Sequence, residues 1–292
     1  MGRELVEGHS AARLVFDRVS AAVGLNVAAL CWESDEETLR QTQNAQLALY
    51  TCGLAAWEAL KADAKDLKPQ AMAGHSVGEY AALAAANVVS IEDGARLVRR
   101  RGEIMAASGQ KRPGTMAAVL GLDREPLEAA LREITDGVAV VANDNCPGQL
   151  VISGDVNAVQ AATAFLPERG AKRVLPLNVS GAFHSPLMEE SAAEMAKTLA
   201  QVTFSPADVP VYSNVTTEPG ADWAQLLEAQ LKSPVRWTES MQNLLRDGVT
   251  AIIECGSGEV LCGMMKRIDR ETKSYKVADM ATLSEAVEGV KA

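Results

Sequence analysis

The chain has 292 residues, 48% hydrophobic and 23% charged, with 22 Gly and 11 Pro; this excludes disordered and fibrous chains and leaves enough length for a large core without disulfide or metal staples. Its 28 Lys and Arg stand against 38 Asp and Glu, and a net charge of −10 ill suits a surface for gripping phosphodiester backbone, so no nucleic-acid partner is expected. The five cysteines (Cys31, Cys52, Cys146, Cys255, Cys262) are scattered, which speaks against a metal site and for a reducing cytoplasm; no apolar run spans a bilayer, and residues 1–5 lack signal-peptide character, so neither membrane nor export is expected.

Leu14, Val15, Val19, Ala22 and Val23 recur at helical spacing and predict a helix over 11–22; Ala45, Leu47, Leu49, Leu54 and Trp57 predict another over 43–60. Residues 69–73 form a short apolar strand that stops at Gly74 and leads into an Ala-rich helix over 77–86. From there the signals run strand 116–122, helix 124–134, strands 138–142 and 150–153, helix 156–166 and strand 173–177. This βαββαβ order predicts a ferredoxin-like subdomain, 115–178, inserted between segments 1–114 and 179–292 of a larger α/β domain. A strand at 209–212, a helix at 237–245, a strand at 251–254 and a capping-box helix start at Thr282 with Glu285 follow. Strands alternating with helices predict a mostly parallel sheet in the larger domain.

Gly74-His75-Ser76-Val77-Gly78 matches the GxSxG nucleophile elbow and has the strand before it and the helix after it that the pattern requires. The sharp turn projects the Ser76 hydroxyl, and the helix N-terminus offers N–H groups, that of Val77 among them, to a developing oxyanion. A serine nucleophile needs a base. His9 lies in a polar stretch and is expected to be solvated, and His75 adjoins the serine through a turn whose side chains diverge. His184, in a loop after the predicted subdomain, is the remaining candidate; the alternative is a histidine satisfied in the core. No Asp or Glu is singled out by spacing as the third group, and a backbone carbonyl serves equally to accept from the imidazole. Of Arg99, Arg100 and Arg101, successive helical positions about 100° apart, one can turn inward; the first two are expected to be solvated, while Arg101 is either a fork for a substrate carboxylate or a further surface charge.

Taken together, Ala73-Gly-His-Ser-Val-Gly-Glu-Tyr80, Leu97-Val-Arg-Arg-Arg-Gly-Glu103, Asn145-Cys-Pro-Gly-Gln149, Phe183-His-Ser-Pro-Leu-Met188, Tyr212-Ser-Asn-Val215, Ser233-Pro-Val-Arg-Trp237 and Glu254-Cys-Gly-Ser-Gly258 give the chain a clear likeness up to about residue 269. It resembles the malonyl-CoA:acyl carrier protein transacylases of bacterial fatty acid synthesis. The resemblance implies an α/β-hydrolase-like domain with mostly parallel sheet plus the ferredoxin-like insertion. It implies Ser76 as the acylated nucleophile, His184 as general base and acid, Arg101 as the clamp on the malonyl carboxylate, Gln230 as the residue whose carbonyl orients His184, and Gln46 as a glutamine near the acyl pocket. Phe183 is similar to the residue found before the histidine in malonyl-selecting acyltransferases.

Relatives begin with a strand and a Gly-Gln-Gly-Ser-Gln turn that supplies a second oxyanion donor, whereas residues 1–5 match the segment after it; one core strand and one donor are therefore expected to be absent. Ser257 and Glu259 stand where relatives have Pro and Lys. The implied activity is ping-pong malonyl transfer from malonyl-CoA to the phosphopantetheine thiol of acyl carrier protein, in the cytoplasm, without cofactor or metal, by a monomer. Lys266, Arg267 and Arg270, and secondarily Lys111 and Arg112, are candidates for receiving the acidic carrier. Two competing readings are a serine esterase or thioesterase of α/β-hydrolase type, and a catalytically impaired carrier-binding protein.

Overall fold

The computed structural model describes residues 1–179 and 181–290; Ser180, just past the predicted boundary at 178, and the last two residues of segment 179–292 lie outside the described residues. The chain opens with helices α1 (Arg3–Gly8), α2 (Ser10–Val23), α3 (Val27–Trp32), α4 (Glu36–Arg40) and α5 (Thr42–Asp63), then strand β1 (Met72–Ala73), α6 (Gly78–Ala85) and α7 (Ile91–Lys111). Strand β2 (Gly114–Leu120), α8 (Arg124–Leu131), β3 (Ala139–Cys146), β4 (Gln149–Asp155), α9 (Val156–Phe165) and β5 (Arg173–Pro176) follow. The remainder runs α10 (Glu189–Leu199), β6 (Val211–Tyr212), α11 (Trp223–Lys232), β7 (Val235–Arg236), α12 (Trp237–Arg246), β8 (Ala251–Cys255), α13 (Val260–Ile268), β9 (Lys273–Val277) and α14 (Met280–Gly289). No described helix is long and apolar enough to cross a membrane. Two compact units emerge: Met1–Gly102, Val202–Tyr212 and Leu244–Ala292 form the first, Glu103–Gln201 and Ser213–Asn243 the second.

In the first unit every strand pair is parallel. β1 pairs with β6 through Met72↔Val211 and Ala73↔Tyr212, and β8 pairs with β9 from Ala251↔Lys273 to Cys255↔Val277. Helix α5 is buried along most of its length, from Gln46 and Leu47 through Tyr50 and Leu54 to Leu60, as expected of a helix packed inside an α/β-hydrolase-like core. Two local expectations are corrected here. His9 is not a solvated residue: it caps α2, its ring accepts from the Ala11 N–H at 3.2 Å, and its Nε2 lies 3.2 Å from Asp63. The capping box of α14 starts at Asp279, not Thr282: Asp279 accepts from the Thr282 N–H at 2.8 Å, and Thr282 Oγ1 accepts from the Asp279 N–H at 3.1 Å. Thr282 is thus the third residue of the helix, in its first turn, and partner of a cap three residues earlier.

The second unit is built on a five-stranded sheet of order β5-β2-β4-β3-β7. Its first four strands are antiparallel and, counted in chain order, lie 4-1-3-2, the ferredoxin-like arrangement. Alternation along β4 serves two cores: Leu150 and Ile152 pack with Leu127, Leu131, Val159 and Leu166, while Val151 faces Met105, Met116, Phe183 and Met188. Truncating such a fully buried leucine to alanine costs about 2–5 kcal/mol. β7 adds a parallel strand to β3 through Asn143↔Val235 and Asp144↔Arg236, so the unit extends beyond residues 115–178. It also contains α11, which sequence periodicity left unassigned. Asp222 caps α11 by accepting from the Gln225 N–H, and Trp223, Leu227 and Leu231 bury one face at four-residue spacing.

Candidate active site

The serine and the imidazole belong to different units, and each has its own supporting structure. In the first unit β1 ends in a turn too tight for an ordinary residue at its entrance. A Cβ on Gly74 would lie 2.0 Å from the carbonyl carbon and oxygen of Gly78, so only glycine lets the chain double back there. The turn holds Ser76 at φ 51°, the left-handed region that L residues seldom occupy, a cost of order 1–3 kcal/mol that the surrounding packing must sustain. The N–H groups of Gly78, Glu79 and Tyr80 then donate to the carbonyls of His75, Ser76 and Val77 and start α6. The N–H of Val77, directly after the serine, precedes this ladder.

Arg101 meets Ser76 from α7. It lies on the buried stripe Ile91, Ala95, Val98 and Met105, and is itself 1% exposed, whereas Arg99 and Arg100 are half-buried. Gly102 brings this helix against α5: a Cβ there would stand 2.5 Å from Gln43 Cα. That approach carries Gln46, also buried, to the guanidinium, so that Arg101 Nη1 donates to Gln46 Oε1 and Nη2 donates to Ser76 Oγ at 3.0 Å. Burial pulls the guanidinium pKa below its ordinary value, opposed by Tyr80 and Glu79, but an arginine remains a cation under any such shift. Stripping a charge of water is expensive. A donated, charge-assisted hydrogen bond to Oγ favours negative charge on that oxygen. Ser76, Arg101 and Gln46, singled out from the sequence, are therefore brought together; Glu79 and Tyr80, both fully buried beside them, were quoted in a motif but given no role.

In the second unit His184 is also at positive φ, 57°, and 4% exposed. Its backbone N–H donates to the Leu231 carbonyl at 3.1 Å, and its Nδ1 lies 2.9 Å from the Gln230 carbonyl oxygen. A carbonyl only accepts, so Nδ1 carries the proton and Nε2 keeps its lone pair. Both carbonyls belong to the last turn of α11, whose dipole places partial negative charge there and stabilises positive charge on the ring by about 0.3–1 kcal/mol. Ser185 locks the following turn, donating to the Ala182 carbonyl at 2.6 Å and accepting from the Leu187 N–H. His184 and Gln230 are thus brought together as well, through a main-chain atom. Leu231, the second anchor, escaped sequence reasoning because its contribution is also a carbonyl.

Of the basic candidates, Lys266 and Arg267 occupy the last turn of α13, and Arg270 follows; all three are exposed. Lys111 and Arg112 are exposed too, but stand 3.9 Å from Glu194 and 3.4 Å from Asp155, respectively.

Comparison with known proteins places these features in company. Residues 1–285 match the sequence model of a family described as the acyl transferase domain. The chain is 41% identical over 296 residues to the malonyl CoA-acyl carrier protein transacylase of Bacillus subtilis strain 168, covering 100% of this chain and 93% of the relative. It is 37% identical over 277 residues to the protein of the same name from Escherichia coli K12, covering 94% and 89%. Among solved structures, the malonyl-CoA:acyl carrier protein transacylase of Xanthomonas oryzae superposes with a TM-score of 0.95 at 39% identity, over 99% of this chain and 93% of that one. A malonyl-transacylase solved in complex with a type II PKS acyl-carrier protein also superposes with a TM-score of 0.95, at 34% identity, over 99% and 94%.

Proposed function

Because the chain belongs to the acyl transferase family, among its malonyl CoA-acyl carrier protein transacylases, we propose that it transfers malonyl from malonyl-CoA to the phosphopantetheine thiol of acyl carrier protein, in fatty acid synthesis. The observation that carries the reading is the buried Arg101 cation hydrogen-bonded to the elbow serine, since a fixed guanidinium beside the nucleophile selects an acyl group with a free carboxylate.

His184 Nε2 takes the Ser76 proton as Oγ attacks the thioester carbonyl, and the Val77 N–H steadies the oxyanion. The tetrahedral adduct collapses by breaking the C–S bond, the imidazolium protonates the leaving thiolate, and malonyl-Ser76 remains. The carrier thiol, deprotonated by the same imidazole, then attacks the ester; the C–Oγ bond breaks, and Ser76 recovers its proton. The Gln230 carbonyl holds the His184 ring throughout, and Gln46 holds the Arg101 fork. An acetyl group would leave the guanidinium without its anion, so discrimination of several kcal/mol against acetyl is expected. We propose that it acts as a monomer, without cofactor or metal. Five free thiols support a reducing cytoplasm.

Incubation with labelled malonyl-CoA should give a malonyl adduct by intact mass that is absent in Ser76→Ala, and label should pass to acyl carrier protein when it is added. Rapid release of free malonate with no transfer would make the protein a thioesterase, and no adduct at all would leave a carrier-binding module. For the carrier we propose the exposed Lys266, Arg267 and Arg270, which lie within five residues of one another at the end of α13 and just after it, ahead of Lys111 and Arg112. Charge reversal at Lys266 and Arg267 should raise KM for the carrier and leave KM for malonyl-CoA unchanged; equal effects on both would count against the patch.

A further inference from the structure

We infer that Tyr80 is the positioning residue that holds the Arg101 guanidinium in its carboxylate-gripping orientation and thereby sets the preference for carboxylated over uncharged acyl groups. The inference rests on the malonyl-transfer reading above.

The two hydrogen bonds from Nη1 and Nη2, to Gln46 and Ser76, lie at the edge of the guanidinium and fix where its fork points. They leave its faces undefined. The Arg101 Cζ stands 5.6 Å from the centroid of the Tyr80 ring, within cation–π range. Tyr80 is 0% exposed and sits in the first turn of α6, four residues after Ser76. The turn that delivers the nucleophile therefore also delivers the ring, and the two groups keep a fixed spacing along the chain.

An aromatic face has a chemical advantage at this position. A carboxylate packed there would hold the guanidinium more strongly, but it would neutralise the cation and compete with the anion of the substrate. A ring quadrupole attracts the cation without adding a counter-charge of its own. Arginine is rich in rotamers, and a face that restricts the guanidinium before substrate arrives reduces what binding must supply.

The test compares Tyr80→Phe, which keeps the ring, with Tyr80→Leu, which removes it; Tyr80→Met replaces the latter if thermal melting shows that leucine prevents folding. The readout is the rate of Ser76 adduct formation from malonyl-CoA and, separately, from acetyl-CoA, without carrier, and the ratio of the two. Tyr80→Phe should keep the ratio within about twofold of wild type, while Tyr80→Leu should lower it about 5- to 30-fold through the malonyl rate alone, the range of a desolvated cation–π contact. Malonyl and acetyl rates falling by one common factor would make Tyr80 merely structural, and two unchanged rates would remove it from the site; either overturns the inference while the malonyl reading stands. A wild type that accepts neither acyl group overturns that reading and this inference with it.

Discussion

Ser76 and His184 both sit in the left-handed region of backbone space, and the two units keep them there by opposite means. At Ser76 the strain is held by an absence: Gly74 has no side chain, and the Gly78 backbone occupies the place where one would be. At His184 it is held by attachment, with the backbone N–H and the ring both bonded to the last carbonyls of α11. The first device depends on the identity of one residue. The second depends on the position of a helix end and is nearly indifferent to which side chains surround those carbonyls. A strained functional residue can therefore be specified by composition or by architecture, and the two kinds of support should fail differently under mutation.

The sharpest break is expected at Gly74. An added Cβ at 2.0 Å from backbone atoms cannot be absorbed by a flexible side chain, so Gly74→Ala must open the turn and displace Oγ. Displacement of a nucleophile by about 1 Å costs on the order of 100-fold in rate, and adduct formation from malonyl-CoA should drop at least that far, measured by intact mass against time. An active Gly74→Ala protein would show that the close approach does not hold the serine.

A smaller effect, of a different kind, is expected at Gln230. Its side chain is fully buried, so Gln230→Ala should lower stability by about 1–3 kcal/mol through the space left behind. The acceptor for Nδ1 is the main-chain carbonyl, which alanine also provides. The midpoint of the pH–rate profile for acylation should therefore match wild type while the melting temperature falls. A displaced midpoint would mean that the Gln230 side chain, and not the helix end, governs the imidazole.

The same contrast explains what could be read before the fold was known. The elbow was legible because its geometry is written in residue types, a glycine, a serine and a strand-to-helix transition in seven positions. The four antiparallel strands over 115–178 were legible as short apolar runs alternating with helical segments in the order βαββαβ. Arg101 was only half legible: it falls on the apolar stripe of Ile91, Ala95 and Val98, but nothing in the local pattern says that Ser76 and Gln46 wait there. Helix α11 offered a cap at Asp222 and apolar residues at 223, 227 and 231, a signal that went unused. Gln230 and Leu231 had none to offer, because every residue has a carbonyl; Gln230 came from family resemblance alone. The cap of α14 was misplaced by one turn, since Asp279 and Thr282 are both good caps and only the fold decides which one starts the helix.

Gly78 is where the comparison can be pressed furthest, because the GxSxG pattern treats its two glycines alike and the structure does not. A Cβ on Gly78 meets nothing within 4 Å, and its φ is not positive. It also opens α6, where alanine is favoured over glycine by about 0.5–1 kcal/mol. Gly78→Ala should raise the melting temperature slightly and leave the acylation rate within about threefold, far less than the roughly 100-fold loss expected from a displaced nucleophile. If it inactivates as completely as Gly74→Ala while remaining folded, the open space over Gly78 must be filled during the reaction. The second glycine would then serve the incoming thioester and its oxyanion rather than the turn, and support by absence at Ser76 would extend from the fold to the substrate.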